Sequence, residues 1–356
     1  MAQKCWSEDA VLQEDLEKIA ASEQIDWEKL QGKTVLITGA TGLIGSLLAK
    51  GLVCASSVRG LGIRVLAAVR NMEKAAEMFQ NYLEEGLEPV ICDIMTPVKI
   101  DGPVDYIFHT ASVTASKEFA TKPVETIFTT LKGTENILEL AKEKKSESVV
   151  YLSSMEAYGV VDPEHYIVRE TDYGYIDPLQ VRSSYSEGKR MAEGICGAYA
   201  HEYGVPVKTA RLAQTFGAGI SKNENRVFAQ FAHSIMDGTD IVLHTDGSKA
   251  HCYCYTSDAV LGLLTVLLRG KDGEAYNVSN EDTFGTIREM AEMLVQNYPE
   301  SGSKLIFDIP EDVNTFGYAP TSRMLVHAGK LRELGWKPEV GLAEMFERLM
   351  GSMRYF

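Results

Sequence analysis

The chain alternates between short apolar runs and longer segments in which apolar residues recur at helical spacing. The run at 33–38 is β-branched and apolar without polar alternation, as is typical of a parallel strand buried on both faces. The same reasoning predicts strands at 64–69, 87–92, 104–109, 148–152 and 207–210, and helices at 43–54, 72–84, 124–144 and 184–203. Strands that alternate with helices imply right-handed crossovers, so the pattern predicts an α/β fold with a doubly wound, mostly parallel sheet.

That alternation is the Rossmann architecture, and the rest of the chain is organised around it. Residues 31–215 carry most of the sheet, which a strand-and-helix segment at about 255–280 completes, and residues 1–30 form a helical N-terminal extension. Residues 216–250 are rich in glycine and polar side chains, and the tail 281–356 is expected to be helical with proline-containing loops. We expect these two segments to form a small C-terminal substrate-binding lobe over the carboxyl ends of the strands, where open α/β sheets bind ligands.

Composition narrows the classes of partner. The 356 residues carry a formal net charge of -15, and a field of that sign repels nucleic-acid polymers and anionic membranes. Only Cys252 and Cys254 of the six cysteines lie close together, so we expect buried thiols in a reducing cytosol and no metal site. The absence of a charged-then-apolar leader and of any membrane-spanning apolar run favours a cytoplasmic protein with no membrane contact.

The sequence TGATGLIG at 38–45 lies between the first strand and the first helix. A dinucleotide pyrophosphate binds at such a junction because the helix N-terminus presents free N–H groups and a partial positive charge. Gly39 permits the turn, Gly42 lets the backbone approach the phosphates, and Gly45 allows the helix to pack closely on the strand. The other predicted cofactor contacts in this loop are Thr41, Leu43 and Ile44. The alternative is a structural turn that binds nothing.

A candidate acid/base pair lies far along the chain. Tyr185 and Lys189 are one helical turn apart, so both side chains face the same way, and the ammonium group of Lys189 would favour the phenolate of Tyr185. Ser153 and Ser154 end a predicted strand, where a hydroxyl could bond the substrate hydroxyl that is being oxidised. The alternative for the Tyr and Lys is a solvated helix face.

The glycine loop and Tyr185-x-x-x-Lys189 together resemble the short-chain dehydrogenase/reductase superfamily, in particular its extended branch, the NAD-dependent epimerase/dehydratase family. The likeness runs from about residue 33 to 336 and includes the segments 108–112 and 334–338. It implies NAD(P) as cofactor, with Asp93 and Ile94 near the adenine and Ala111 on the cofactor. It also implies that Ser154, Tyr185 and Lys189 are catalytic.

Glu156 bears on which reaction the resemblance implies. It follows Ser154 by two residues, so on an extended segment both side chains can face one cleft. Dehydratases and UDP-glucuronate decarboxylases of this branch carry a carboxylate there, whereas simple 4-epimerases usually lack it. Glu156 would act as a base at C5 once C4 has become a ketone. Met155 replaces the Asp that is usual in deoxythymidine-diphosphoglucose dehydratases. A surface glutamate in a loop is the alternative.

Overall, the chain is most similar to UDP-glucuronate decarboxylases. The segments 182–190, 225–228 and 246–258 resemble theirs, which implies that Arg226 contacts the base or the diphosphate. Two positions depart from the family pattern, because His251 replaces an Arg associated with the substrate carboxylate and Gln214 replaces an Asn. Neutral imidazole does not offer the bidentate fork of an arginine. The predicted substrate-binding residues are Ser112, Gln214, Arg226 and His251, with a buried structural histidine as the alternative for His251.

The end of the second strand bears on the choice between NAD and NADP. The segment 67–71 has no acidic residue to accept hydrogen bonds from the adenosine ribose hydroxyls, and Arg70 could meet a 2′-phosphate or stack on adenine. We therefore expect NAD(P), with NADP slightly favoured over NAD.

These features together predict an enzyme that modifies a nucleotide sugar through transient oxidation at C4. Decarboxylation, 4,6-dehydration and epimerisation all begin in this way, so the opening step is better defined than the product. One alternative is an NADPH-dependent reductase of a keto-sugar or another carbonyl, and another is a non-catalytic dinucleotide-binding protein. The resemblance further implies a homodimer formed through a four-helix bundle of the helices at 124–144 and 184–203.

Overall fold

The structure is a computed structural model that describes residues 4–310 and 323–355. Its helices are α1 (Ala10–Ala21), α2 (Leu43–Arg59), α3 (Met72–Phe79), α4 (Ser116–Thr121), α5 (Pro123–Lys144), α6 (Ser183–Tyr203), α7 (Val227–Asp237), α8 (Thr256–Arg269), α9 (Ile287–Asn297), α10 (Gly329–Glu333) and α11 (Leu342–Met353). Its strands are β1 (Thr34–Thr38), β2 (Arg64–Val69), β3 (Leu87–Ile91), β4 (Tyr106–His109), β5 (Ser148–Ser154), β6 (Ile167–Val168), β7 (Val207–Leu212), β8 (Gln214–Phe216), β9 (Ile241–Leu243), β10 (Ala250–Tyr255), β11 (Ala275–Val278), β12 (Asn280–Thr286), β13 (Leu305–Phe307) and β14 (Arg323–Val326).

A seven-stranded sheet forms the centre of the molecule. Its strand order is β11-β7-β5-β4-β1-β2-β3, and every neighbouring pair is parallel. The strand order changes direction between the paired strands β1 and β4. At such a point a doubly wound sheet opens a crevice at its carboxyl edge. The predicted α/β Rossmann class with a parallel sheet is thereby confirmed.

Helices cover both faces of this sheet, which explains why its strands lack polar alternation. The β1 strand is buried at all five positions. One core cluster joins it to α1, α2 and α8 through side chains such as Leu16, Leu48 and Leu264. The cluster on the other face joins it to α5 and α6 through side chains such as Ile137 and Ala192.

The smaller lobe differs from its predicted helical character. The described part of the tail contains the strands β12, β13 and β14 as well as helices. Strand β10 pairs with β8, β12 and β14, while β13 pairs with β9. These strands are short and take their partners from distant parts of the chain, so local periodicity does not reveal them. The part of the predicted lobe at 311–322 lies outside the described residues.

The N-terminal segment packs against both the central sheet and the C-terminal helix. Leu16 and Ile19 of α1 are fully buried in the core cluster that contains α2 and α8. Asp15 is also buried, and its carboxylate accepts hydrogen bonds from Nη2 of Arg348 at 2.8 Å and from the hydroxyl of Tyr255 at 2.7 Å. The α1 helix thus connects α11 to β10. Within the described ranges, no helix combines the length and the apolar character needed to cross a membrane.

Candidate active site

The turn between β1 and α2 has the geometry that a phosphate cradle requires. Gly39 has φ of +65°, and a Cβ on it would lie 2.8 Å from backbone atoms of Ala111. A Cβ on Gly45 would lie 2.4 Å from the carbonyl oxygen of Gly39. Gly42 is the N-cap of α2 and supplies no capping side chain, so no side chain of that residue covers the N–H groups of the first helical turn.

The predicted cofactor residues lie at the carboxyl ends of four adjacent strands. Arg70 follows β2, Asp93 and Ile94 follow β3, and Ala111 follows β4, while the glycine turn follows β1. These strands stand side by side in the order β4-β1-β2-β3. The side chain of Ile94 is buried against α5, whereas Arg70 and Asp93 are exposed. Parallel topology therefore brings all these positions to one edge of the sheet.

We expect Gly45→Ala to weaken binding of NAD(P), because the added methyl group displaces the carbonyl group of Gly39 in the turn. Overpacking of this kind also costs about 1–3 kcal/mol of unfolding free energy. Calorimetric titration with the dinucleotide and chemical denaturation measure the two effects. Gly194→Ala on α6 is the matched control, because a Cβ there meets no atom of the described residues within 4 Å. Unchanged binding in Gly45→Ala would contradict the assigned role.

Three predicted catalytic residues meet at the end of β5. Ser154 is the last residue of that strand, and its hydroxyl acts to lower the pKa of Tyr185 of α6. Nζ of Lys189, one helical turn beyond Tyr185, donates to the carbonyl oxygen of Leu152 at 2.7 Å and lies 5.7 Å from the centroid of the Tyr185 ring. The ring of Tyr185 stacks on Phe119 with centroids 4.3 Å apart. These contacts hold the phenol at one position in the cleft.

The protonation of this pair differs from the expectation that Lys189 favours the phenolate. Burial raises the pKa of Tyr185, and the charge of Glu156 raises it further, while Ser154 and Arg226 act in the opposite direction. Burial also lowers the pKa of Lys189 to about 8. Desolvation thus opposes both charged forms, and the charges of Glu193 on Lys189 and of Arg226 on Tyr185 offset it only in part. The side chains of this chain alone favour a neutral phenol.

Glu156 lies in a short 3₁₀ helix, Met155–Tyr158, directly after β5. Its carboxylate accepts a hydrogen bond from Ser186 at 3.3 Å, and its charge acts on Tyr185, so the two predicted catalytic groups share one cleft. Arg190 of α6 donates to the carbonyl oxygens of Ala157 and Tyr158 at 3.0 and 3.1 Å. The backbone that carries Glu156 is therefore fixed to the same helix as Tyr185.

A buried arginine, Arg211, contacts both of these elements. Arg211 on β7 donates to both carboxylate oxygens of Glu193 and, at 2.9 Å, to the hydroxyl of Tyr158. Glu193 belongs to α6 and Tyr158 to the 3₁₀ helix. An arginine fork paired in this way resists rotation. It therefore fixes the relative position of the two elements that carry the predicted catalytic residues.

The predicted substrate residues lie at different positions around the cleft. Ser112 follows β4, and Gln214 begins β8. Arg226 caps α7, is held by Glu224 at 2.7 Å and lowers the pKa of Tyr185, so its charge is felt at the catalytic phenol. His251 lies on β10 and is buried, and burial lowers the pKa of its imidazole to about 3. Neutral His251 therefore cannot supply the charge of the arginine that the family pattern has there.

Two cations near Glu156 were not among the predicted site residues. Lys249 lies just before β10, and Arg182 caps α6. The charges of both Glu156 and Arg182 act on Lys249. Both residues fall in segments that resemble UDP-glucuronate decarboxylases. Lys249 could have been predicted from the sequence, because it lies two residues before His251 and alternate residues of a strand share a face.

Comparison with known proteins finds relatives over most of the chain. The profile of the NAD dependent epimerase/dehydratase family matches residues 35–279. The UDP-glucuronic acid decarboxylase 1 of Danio rerio is 31% identical over 325 residues, which cover 91% of this chain and 72% of the relative.

Solved structures reproduce the fold over most of the chain. A dTDP-glucose 4,6-dehydratase from Streptomyces venezuelae with NAD bound has a TM-score of 0.72 at 24% identity and covers 90% of this chain and 97% of its own. A UDP-glucuronic acid 4-epimerase from Bacillus cereus in complex with UDP-glucuronic acid and NAD has a TM-score of 0.72 at 18% identity, with coverages of 90% and 99%.

Proposed function

Since the chain belongs to the NAD dependent epimerase/dehydratase family, we propose that it is an enzyme that modifies a nucleotide sugar through transient oxidation at C4, with UDP-glucuronate as the substrate and loss of its carboxyl group as the outcome. The observation that carries this proposal is the placement of Glu156 beside Tyr185, Ser154 and Lys189 in one cleft. The relative named UDP-glucuronic acid decarboxylase 1 supports the choice of sugar and of reaction.

The residues present fit a dinucleotide. The positive φ of Gly39 and the close approach at Gly45 leave a backbone cradle that side chains would fill, and the N-terminus of α2 opens onto it. Gly39, Gly42 and the first turn of α2 would hold the pyrophosphate, with Arg70 and Asp93 toward the adenosine. When bound there, an oxidised nicotinamide would supply a hydride acceptor and a positive charge next to the phenol.

Each side chain of the cleft then has a separate role in the reaction of the sugar. Ser154 orients the C4 hydroxyl, and Tyr185 takes its proton as C4 becomes a ketone. Lys189 holds positive charge next to the phenol, which favours the phenolate once the proton has moved. Glu156 assists the following step, in which the C4 ketone accepts the electron pair of the C5–C6 bond, the carboxyl group leaves as carbon dioxide and C5 then takes up a proton. Arg226 binds the base or the diphosphate of the nucleotide.

The decisive test is a panel of UDP-, dTDP-, GDP- and CDP-sugars with mass detection. Loss of carbon dioxide from UDP-glucuronate supports decarboxylation, whereas loss of water or an unchanged mass identifies dehydration or epimerisation. Stoichiometric consumption of added NADPH would instead favour the alternative, a carbonyl reductase. Conversion of no nucleotide sugar and of no carbonyl compound, with the dinucleotide bound, would leave a non-catalytic binding protein.

Arg70 provides a direct test of cofactor choice. It is exposed directly after β2, and within the described ranges it forms no hydrogen bond or salt bridge, so its guanidinium is available for a 2′-phosphate. We expect NADP to bind more tightly than NAD, and Arg70→Met to weaken NADP about tenfold while leaving NAD nearly unchanged. Titration of both cofactors against both proteins measures this. Equal losses for the two cofactors would remove Arg70 as the selective residue.

We also propose a homodimer formed through α5 and α6. These helices pack on one another, and they expose the large apolar side chains of Val124, Phe128 and Met191. Burying such a face in a symmetric four-helix bundle removes it from water. Sedimentation analysis should give twice the chain mass of 39.3 kDa, and Phe128→Glu should give the single-chain mass.

A further inference from the structure

Lys249, whose pKa responds to the charge of Glu156, has no hydrogen-bond or salt-bridge partner for its ammonium group among the described residues. It lies directly before β10, where its backbone carbonyl oxygen accepts a hydrogen bond from the N–H of Ile287 at 3.0 Å. Its backbone is therefore fixed. Its side chain is partly buried, and no hydrogen bond or salt bridge reaches its Nζ from residues 4–310 or 323–355. An ammonium group shielded from water without a counter-charge is costly to maintain, which points to a ligand rather than to a structural role.

His251 extends this site along the same strand. Residues two apart on an extended segment point to the same side, and the charge of Lys249 acts on the His251 imidazole. His251 is 8% exposed, and its Nδ1 is buried with no hydrogen-bond partner among the described residues. Two polar groups on one face, an ammonium and a ring nitrogen, thus lack partners within the part of the chain that the structure describes.

The charges around Lys249 determine which kind of ligand the site can bind. Glu156 attracts its ammonium and Arg182 repels it, yet no carboxylate oxygen of the described residues lies within 4.0 Å of Nζ. Glu156 is engaged by Ser186 at 3.3 Å instead. Among the described residues, neither Lys249 nor Arg182 therefore forms an ion pair with Glu156. The pKa of Lys249 is lowered by burial, as expected for an ammonium that lacks a close anion.

We propose that Lys249, with Arg182 beside it and His251 on the same face, binds the carboxylate that a substrate sugar carries on C5. This inference rests on the proposed function and names the group that selects a uronic acid over a neutral hexose. A substrate carboxylate next to Glu156 brings like charges together, and two cations at that point offset the repulsion. A neutral hydroxymethyl group would leave the cations unpaired, so the site discriminates against neutral sugars.

The position of Lys249 also compensates for the lack of an arginine at position 251. Neutral imidazole at position 251 cannot supply the positive charge that a carboxylate ligand requires. Lys249 lies two residues earlier on the same face, so its four-carbon stem can bring an ammonium to the same side of β10.

The test compares the binding of UDP-glucuronate, UDP-glucose and UDP to the full chain saturated with reduced dinucleotide, which cannot oxidise the sugar. We expect Lys249→Met to weaken UDP-glucuronate about 10- to 100-fold, the range for lost charged hydrogen bonds. UDP-glucose and UDP should change by less than about twofold. Lys249→Arg should restore most of the affinity for UDP-glucuronate. Arg182→Met, a change at an exposed residue, should give a smaller loss with the same selectivity.

Lys304→Met is the matched control, since Lys304 is exposed and lies next to β13; it should leave all three affinities unchanged. Equal losses of UDP-glucuronate and UDP-glucose in Lys249→Met, or no loss of either, would overturn the carboxylate site. If wild-type protein binds both sugars and the variants keep the same ratio, the inference fails while the nucleotide-sugar function stands. If wild-type protein binds no UDP-sugar, both fail. Melting temperatures of the variants establish that they are folded.

Discussion

Tyr185→Phe should reduce turnover of the nucleotide sugar by about a thousandfold, within the range for loss of a positioned acid/base, and leave dinucleotide affinity nearly unchanged. The substitution removes only the hydroxyl that would take the C4 proton. It keeps the ring that stacks on Phe119 and leaves in place the bond from Lys189 to Leu152. Steady-state rates and dinucleotide titration on the same preparation separate catalysis from binding.

Tyr199→Phe is a suitable control because Tyr199 lies on the same helix and its hydroxyl donates to Glu139 at 2.7 Å. Its loss should change turnover by less than about twofold. A Tyr185→Phe enzyme with wild-type turnover would exclude Tyr185 as the acid/base. A parallel loss of dinucleotide affinity would instead assign it to cofactor binding.

Glu156→Gln should allow oxidation at C4 and block the later step, so that the 4-keto sugar accumulates and the final product falls by about 10²- to 10⁴-fold. The amide keeps the size of the side chain and an oxygen that can accept from Ser186, but it can neither take up nor deliver a proton at C5. Mass spectrometry of single-turnover mixtures distinguishes the keto sugar from substrate and product. Unchanged product formation would remove Glu156 from the reaction.

The same variant should move the pH dependence of the first step. The negative charge of Glu156 raises the pKa of Tyr185 because it disfavours the phenolate. Removing that charge lowers the pKa of Tyr185, so the rate of C4 oxidation should reach its plateau at a lower pH. Glu164→Gln serves as the control, since Glu164 is an exposed residue of the 3₁₀ helix Pro163–His165. A pH profile that shifts equally in both variants would remove this assignment.

The charge of the cleft contrasts with that of the whole chain. The formal net charge is -15, yet Arg182, Lys189, Arg226 and Lys249 all belong to the cleft or act on its residues. An acidic protein that binds an anionic substrate needs cations at the site, because the long-range field acts against binding. The diphosphate and the proposed carboxylate therefore depend on separate local cations.

Short-range sequence patterns were enough to predict the central sheet, the glycine turn and the shared helix face of Tyr185 and Lys189. The apolar runs revealed the strands of the parallel sheet because strands buried on both faces lose polar alternation. The glycine spacing at 39, 42 and 45 revealed the turn, because only glycine tolerates the positive φ at Gly39 and the close approach at Gly45. The helical spacing of Tyr185 and Lys189 placed both on one face for the same kind of local reason.

What the sequence alone determined was therefore the Rossmann sheet, the glycine turn predicted to bind the cofactor, and the helix that carries the candidate catalytic pair. Only the tertiary structure showed the strands β12 to β14, whose partners are distant in the chain. It also brought Lys249 within the electrostatic influence of Glu156 and Arg182, and it showed that burial raises the pKa of Tyr185. Strand pairing, electrostatic proximity and desolvation depend on residues brought together by folding, so no local pattern contains them.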